Sequence, residues 1–252
     1  MTLRHAPSRS AVFAVLAVLA GLAGPPALTT STPASATSAA QARSGRTVTL
    51  DGVRVSLRTG TKQVVTVNHT RGWHARVTFW RWQGGGWHLR YHTVRGGTGY
   101  GGLVAGDQRQ QGTGTTPLGT YRMTHSFGNS PRPAGTALPF RRVRPGDYWV
   151  QDNRSAYYNY LRNKAAGGFR WWLPPSNDNS SEHLADYPSQ YRWAIVVDFN
   201  RPHPVHHRGS GIFLHVNGDG ATAGCVSTPR WFIRQTLSRL RPGLVPLIAI
   251  GR

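Results

Sequence analysis

From Thr47 onward, apolar and polar residues alternate in short runs. Over residues 73–82 one parity carries Trp73, Ala75, Val77 and Phe79, and the other His74, Arg76, Thr78, Trp80 and Trp82. Just beyond, Trp87, Leu89 and Tyr91 alternate with His88, Arg90 and His92. A period of two with one polar face predicts half-buried strands, and the intervening Gly84-Gly85-Gly86 predicts a hairpin turn. Further strands are expected over 48–57, 63–67, 120–124, 148–151, 193–199, 211–216 and 244–250. Residues 163–190 are rich in Pro, Asn, Ser and Gly and predict a long surface loop of the kind that often serves as a lid. One helix is signalled near the C-terminus. Thr228 is its expected cap and Pro229 suits its first turn. Phe232, Ile233, Thr236, Leu237 and Leu240 share a face, and Pro242-Gly243 stops it. The expected fold is therefore mostly β, in one domain large enough to bury a core.

The N-terminal part has a different character. Arg4 and Arg9 precede an apolar run from Ala11 to Ala23, followed by the small-residue sites Ala34-Ser35-Ala36 and Ala40-Gln41-Ala42. A basic region, a short apolar region and a small-residue site form a secretory signal pattern, and the run is short for a membrane span. Residues 1–42 are read as signal peptide and Ser/Thr/Ala-rich linker, and 47–252 as the folded domain. Export shifts the meaning of the charge. The chain has 30 Lys+Arg against 9 Asp+Glu, a net charge of +21, and such a balance seeks polyanions. Outside the cell, anionic wall polymers or lipid head groups are the expected partners, and no nucleic acid is expected.

There is one cysteine, Cys225. A single Cys in an exported chain cannot form an internal disulfide, so this thiol is either reactive or buried and inert. Its surroundings carry the chemistry. A strand pattern, Gly211-Ile212-Phe213-Leu214-His215, ends on a histidine. A loop of small residues follows, then Gly224-Cys225-Val226-Ser227-Thr228-Pro229 and the expected helix. A thiol at about 8.5 is mostly protonated at neutral pH and needs activation. A helix N-terminus and a nearby imidazole could both supply it, and the N–H groups of Gly224 and Cys225 could face a developing oxyanion.

This segment resembles the catalytic signature of the YkuD-type L,D-transpeptidases, in which a strand His is followed by a loop and then Gly-Cys with Val or Ile after it. Thr115-Thr116-Pro117-Leu118-Gly119-Thr120-Tyr121 is similar to that family's Thr-Pro-x-Gly-x-Phe/Tyr strand entry. Papain-like and NlpC-like peptidases place the Cys before the His, the reverse of the order here. The resemblance implies a YkuD-like β-sandwich with one short helix after the nucleophile. It implies Cys225 as nucleophile, His215 as base, Gly224 at the oxyanion, peptidoglycan stem peptides as substrate, and no cofactor or metal. The family usually has Ser or Thr and then His before Gly-Cys, where this chain has Thr222 and Ala223. It usually has Asn or Arg two residues after the Cys, where this chain has Ser227, which is expected to hydrogen-bond substrate in its place. Two other functions remain open at this point: a non-catalytic basic wall-binding module, and an L,D-carboxypeptidase that hydrolyses its acyl-enzyme.

Weaker signals point elsewhere. His203, His206 and His207 have no acidic residue among them and suit a turn better than a metal site. Gly96 to Gly102 lacks the Lys and Ser/Thr of a phosphate loop and is expected to be a flexible turn. Glu182, His183 and Asp186 are expected to be a solvated loop face. Trp80 and Trp82 are expected to pack against a second layer rather than stack on sugars.

Overall fold

The computed structural model describes residues 45–252; the signal and linker assigned to residues 1–42 lie outside them. The described strands are β1 (Thr47–Leu50), β2 (Val53–Ser56), β3 (Gln63–His69), β4 (His74–Gln83), β5 (Gly86–Gly97), β6 (Leu103–Ala105), β7 (Thr116–Gly128), β8 (Phe140–Arg142), β9 (Asp147–Trp149), β10 (Leu161–Asn163), β11 (Glu182–His183), β12 (Ala194–Val197), β13 (Phe213–Val216), β14 (Val226–Thr228) and β15 (Leu247–Gly251). The single α-helix among the described residues, α1, spans Arg230–Arg239. None of their helices is long and apolar enough to cross a membrane.

The main sheet runs β12-β13-β14-β5-β4-β3-β15-β7-β6, and β12 pairs with β7 as well as β13, so the path folds back on itself. Opposite arcs bring Val65, Val67, Val77 and Phe79 against Ile195, Val197, Leu214 and Val226 in one apolar core. This is the mostly β, sandwich-like arrangement that the alternating pattern and the resemblance imply. Helix α1 lays Phe232, Ile233 and Leu237 into that core, with Leu240 just past its end, the face the sequence predicts.

All four residues of β12 are buried. Ile195 and Val197 enter the main core, while Ala194 and Val196 enter a second cluster with Phe127, Trp149, Leu184, Tyr191, Phe213 and Cys225. A strand buried on both faces reads as a continuous apolar run. The second layer above it is the small sheet β10-β9-β11 with the segment leading to Tyr191. The predicted loop over 163–190 is thus partly built into the fold. Arg170, for example, is held on buried Asp152 at 2.5 Å.

Two expectations change. The strand over 48–57 is a hairpin, because Asp51 and Gly52 take positive φ (52° and 77°), the two-residue turn that Asp-Gly favours. Thr228 does not cap α1. It belongs to β14, in register with Val216, and Pro229 takes the cap position without a side-chain hydrogen bond. The ladder with β13 claims the Thr228 backbone before the helix begins. The hairpin at Gly84 and Gly85 forms as expected, both with positive φ. Trp80 packs on the cluster under the β1–β2 hairpin and donates to Thr66 Oγ1 at 3.0 Å, so it is a packing residue.

Candidate active site

Strands β13 and β14 run parallel, with Leu214 opposite Val226 and His215 opposite Ser227. Cys225 therefore sits one step before β14, beside Phe213. The Phe213 N–H donates to Cys225 Sγ at 3.4 Å, and the thiol donates to the Gly211 carbonyl at 3.2 Å. Cys225 is 8% exposed and His215 6%. His215 Nδ1 lies 2.8 Å from the Val216 carbonyl. A carbonyl only accepts, so Nδ1 carries the proton and Nε2 is left as the ring's acceptor. No hydrogen bond joins His215 to Cys225 here. Both line one cleft of about 330 Å³, together with Arg109, Glu182, Tyr191 and the loop from Gly218 to Ala223.

The backbone that presents Cys225 is fixed from three directions. Thr222 Oγ1 accepts from the Gly224 N–H at 3.2 Å and donates to the Cys225 carbonyl at 2.6 Å. Thr116 Oγ1 donates to the Gly224 carbonyl at 2.9 Å and accepts from the Gly99 N–H at 2.8 Å. Thr98 and Tyr100 pair through their backbones with Thr222. The stretch from Gly96 to Gly102 is consequently not the flexible turn expected from its composition. Its glycines let the backbone pass close beneath the cysteine loop: a Cβ on Gly99 would lie 3.0 Å from Gly224 Cα.

Two of the residues expected at the site are placed differently. The Gly224 N–H is engaged by Thr222, so it would have to leave that hydroxyl to serve an oxyanion. Ser227 is 1% exposed and absent from the cleft. It sits in β14 against Gly97, where a Cβ would come within 2.6 Å of its Oγ. Placed in the ladder between β13 and β5, it cannot hydrogen-bond a substrate in that cleft.

The electrostatics also differ from expectation. Strand β14 separates Cys225 from the start of α1, so the helix end does not abut the thiol. Burial, with a smaller push from the Glu182 carboxylate, raises Cys225 to about 12, against weaker pulls from the Phe213 N–H and Arg109. Burial lowers His215 to about 4, against the Val216 hydrogen bond. At neutral pH the pair is a thiol and a neutral imidazole.

Glu182 is the residue whose place the sequence did not reveal. His183 and Asp186 pair with each other at 2.7 Å, and Asp186 is exposed, as a solvated loop face would be. Glu182, between them and Ser181, instead lines the cleft, and its Oε1 accepts from Tyr191 at 2.6 Å. Burial raises it to about 7, partly offset by that hydrogen bond. Only the antiparallel pairing of Glu182 with Trp149 turns it toward Cys225. Above pH 7 its charge opposes the thiolate. Glu182→Gln is expected to speed alkylation of Cys225 by iodoacetamide several-fold at pH 8.5 and to leave it unchanged at pH 6, since a shift of one unit in thiol pKa changes the thiolate fraction tenfold. Equal rates for variant and wild type at both pH values would show that Glu182 does not act on the thiol.

Among the described residues no three His, Cys, Asp or Glu side chains gather in a metal-like group. His206 instead meets the Asn153 carbonyl at 2.6 Å.

Comparison with known proteins gives one family. The model of the YkuD family, the L,D-transpeptidase catalytic domain, matches residues 62–248. None of the curated proteins compared with this chain matches it. Among solved structures, Bd1075 from Bdellovibrio bacteriovorus aligns at a TM-score of 0.38 and 13% identity, over 76% of this chain and 48% of that one. A variant of the helical cell shape determining protein Pgp2 from Campylobacter jejuni aligns at 0.38 and 12%, over 76% and 47%. This chain thus spans about half the length of each.

Proposed function

We propose a function from one premise: this chain belongs to the YkuD family of L,D-transpeptidase catalytic domains. In this proposal it is a cysteine acyltransferase of the cell wall, acting on peptidoglycan stem peptides. The observation that supports it best is the shared cleft, which a neutral His215, its Nδ1 proton committed to Val216, lines together with the one cysteine of the chain.

The Cys225 sulfur attacks the carbonyl that joins the L-centre of the third stem residue to the terminal D-alanine. The thiol proton passes to His215 Nε2, and the new C–S bond gives a tetrahedral adduct. The C–N bond then breaks, and D-alanine leaves as an amine, taking that proton. The amine of a second stem attacks the thioester, loses a proton to His215 and forms the new amide, while the sulfur leaves and is reprotonated. With water in place of the amine, the same steps give the carboxypeptidase reaction.

Starting from a neutral pair has a consequence. The thiol is not stored as a thiolate, so proton transfer accompanies attack, and His215 works as a general base. Before attack the thiol must turn away from the Gly211 carbonyl. The Cys225 N–H is the oxyanion donor that the adjoining backbone offers most directly, because Thr222 holds that of Gly224. The substrate lies outside the cytoplasm, which accords with the export role assigned to residues 1–42 and with a location at the cell wall. The strongly basic composition suits retention among anionic wall polymers.

A carbapenem tests this directly. Its strained lactam carbonyl stands in for the scissile bond and needs only the nucleophile, the base and the oxyanion donor. Intact-protein mass spectrometry is expected to show one adduct, mapping to the peptide that holds Cys225 and missing from Cys225→Ala. A folded protein that stays unmodified by several carbapenems, and whose thiol iodoacetamide also fails to reach, would return Cys225 to the role of an inert core residue.

A further inference from the structure

Arg109 lies between β6 and β7, 5% exposed, and lines the same cleft as Cys225. A buried cation is normally paired with a carboxylate. Among the described residues five ion pairs form, and Arg109 is in none of them. Two of its N–H groups are used on backbone carbonyls: Nε donates to Thr115 at 2.7 Å and Nη1 to Arg208 at 3.3 Å. Among the described residues Nη2 has no hydrogen-bond partner, and it is not sealed from solvent. Phe199 stands against one side of the guanidinium, its ring centre 5.5 Å away.

The chain makes room for this group beside the nucleophile. Gly224 has a φ of 125°, and a Cβ there would lie 2.8 Å from Arg109 Nη2 and 2.7 Å from the Thr115 carbonyl. A Cβ on Gly209 would overlap Nη1. Glycine at both positions lets a fixed guanidinium reach the residue next to Cys225. The position two residues after the cysteine, where Ser227 stands, turns into the sheet and offers no cation to the cleft.

We propose that Arg109 binds the free C-terminal carboxylate of the donor peptide, and so selects donors that end one residue beyond the scissile bond. The reading rests on Cys225 acting on stem peptides, but the carboxylate site itself does not depend on turnover. A guanidinium held by two backbone carbonyls, with N–H donors to spare, presents the fork that matches a carboxylate. Binding there would also neutralise a cation that burial otherwise disfavours, the effect that lowers the Arg109 pKa from its usual value. Among the described residues Glu182 and Asp219, the carboxylates that line the same cleft, pair with no cation. Where ionised, they would repel a misplaced carboxylate and so favour the Arg109 end.

Two readouts test this. The first needs no variant and no turnover. D-alanine is expected to protect Cys225 of the wild-type protein from iodoacetamide, and D-alaninamide is not; equal protection by both, or none by either, overturns the proposal. The second compares iodoacetate with iodoacetamide as alkylating agents. The iodoacetate-to-iodoacetamide rate ratio is expected to fall roughly 10- to 100-fold in Arg109→Gln, the worth of a hydrogen bond to a charged group, and much less in Arg109→Lys. A tetrapeptide acid and its C-terminal amide should lose their rate difference in the same order. If Arg109→Gln slows both reagents and both peptides alike, Arg109 acts on the oxyanion or on packing, and the carboxylate site is wrong. Should the Gln variant not fold, the Lys variant and the D-alanine protection decide the matter. A protein whose Cys225 shows D-alanine protection but releases no D-alanine from stems would keep the carboxylate site and lose the proposed function.

Discussion

Cys225→Ala is expected to reduce release of D-alanine from a tetrapeptide donor to background. Deleting the nucleophile of a covalent mechanism costs on the order of 10⁶ in rate, and no second thiol exists to replace it. The fold should survive. Cys225 packs at the edge of the second cluster, and removal of one sulfur from a well-packed site costs about 1 kcal/mol. Its two hydrogen bonds go to the backbone of Phe213, which strand pairing already holds in place, and of Gly211, whose N–H donates to Asn159 Oδ1 at 3.0 Å. The measurement is donor turnover alongside thermal unfolding. A variant that folds as wild type and still releases D-alanine at the wild-type rate would remove Cys225 from the chemistry.

The second large effect belongs to His215. In His215→Gln the side-chain amide can still donate to the Val216 carbonyl, so the strand end keeps its contact, but no group remains to take the thiol proton. A loss of roughly 10²–10⁴ in rate is expected. The pH dependence has a defined sign. Burial lowers the wild-type imidazole to about 4, so the base is present above that pH and lost as pH falls through it. The wild-type rate should therefore hold down to mildly acidic pH and then drop near 4, and the variant should lack that drop. The same shift couples to stability. The unfolded chain binds the proton at about 6.5, so stability contributed by the buried neutral ring is complete above that pH and declines from there down to about 4. Acid inflections that coincide in wild type and variant would show that another group controls the rate.

Much of the architecture was legible from alternation alone. The 73–82 and 87–94 runs became β4 and β5, the Gly84-Gly85 turn formed between them, and the apolar stripe of α1 entered the core. The strands that the alternation does not mark are short. Strands β6, β8, β10, β11 and β14 have two or three residues each, too few for a period to register. Asp51-Gly52 is masked as a turn in the sequence because the apolar residues continue on both sides of it.

The sequence by itself determined which groups are available: one thiol, one histidine at the end of a strand before it, and the Thr-Pro strand entry that proved to brace the Gly224 carbonyl through Thr116. These are local facts, carried by residue type and order. Tertiary structure alone decided what those groups experience. Burial sets the Cys225 and His215 protonation states, and burial is a property of everything packed around them. Register alone turns Ser227 into the sheet and Glu182 into the cleft, and a one-residue difference in pairing would reverse either. Arg109 stands 116 residues before Cys225 in the chain, in a stretch with no pattern of its own. Only the return of β7 past the cysteine loop sets its guanidinium beside Gly224, where among the described residues it pairs with no carboxylate.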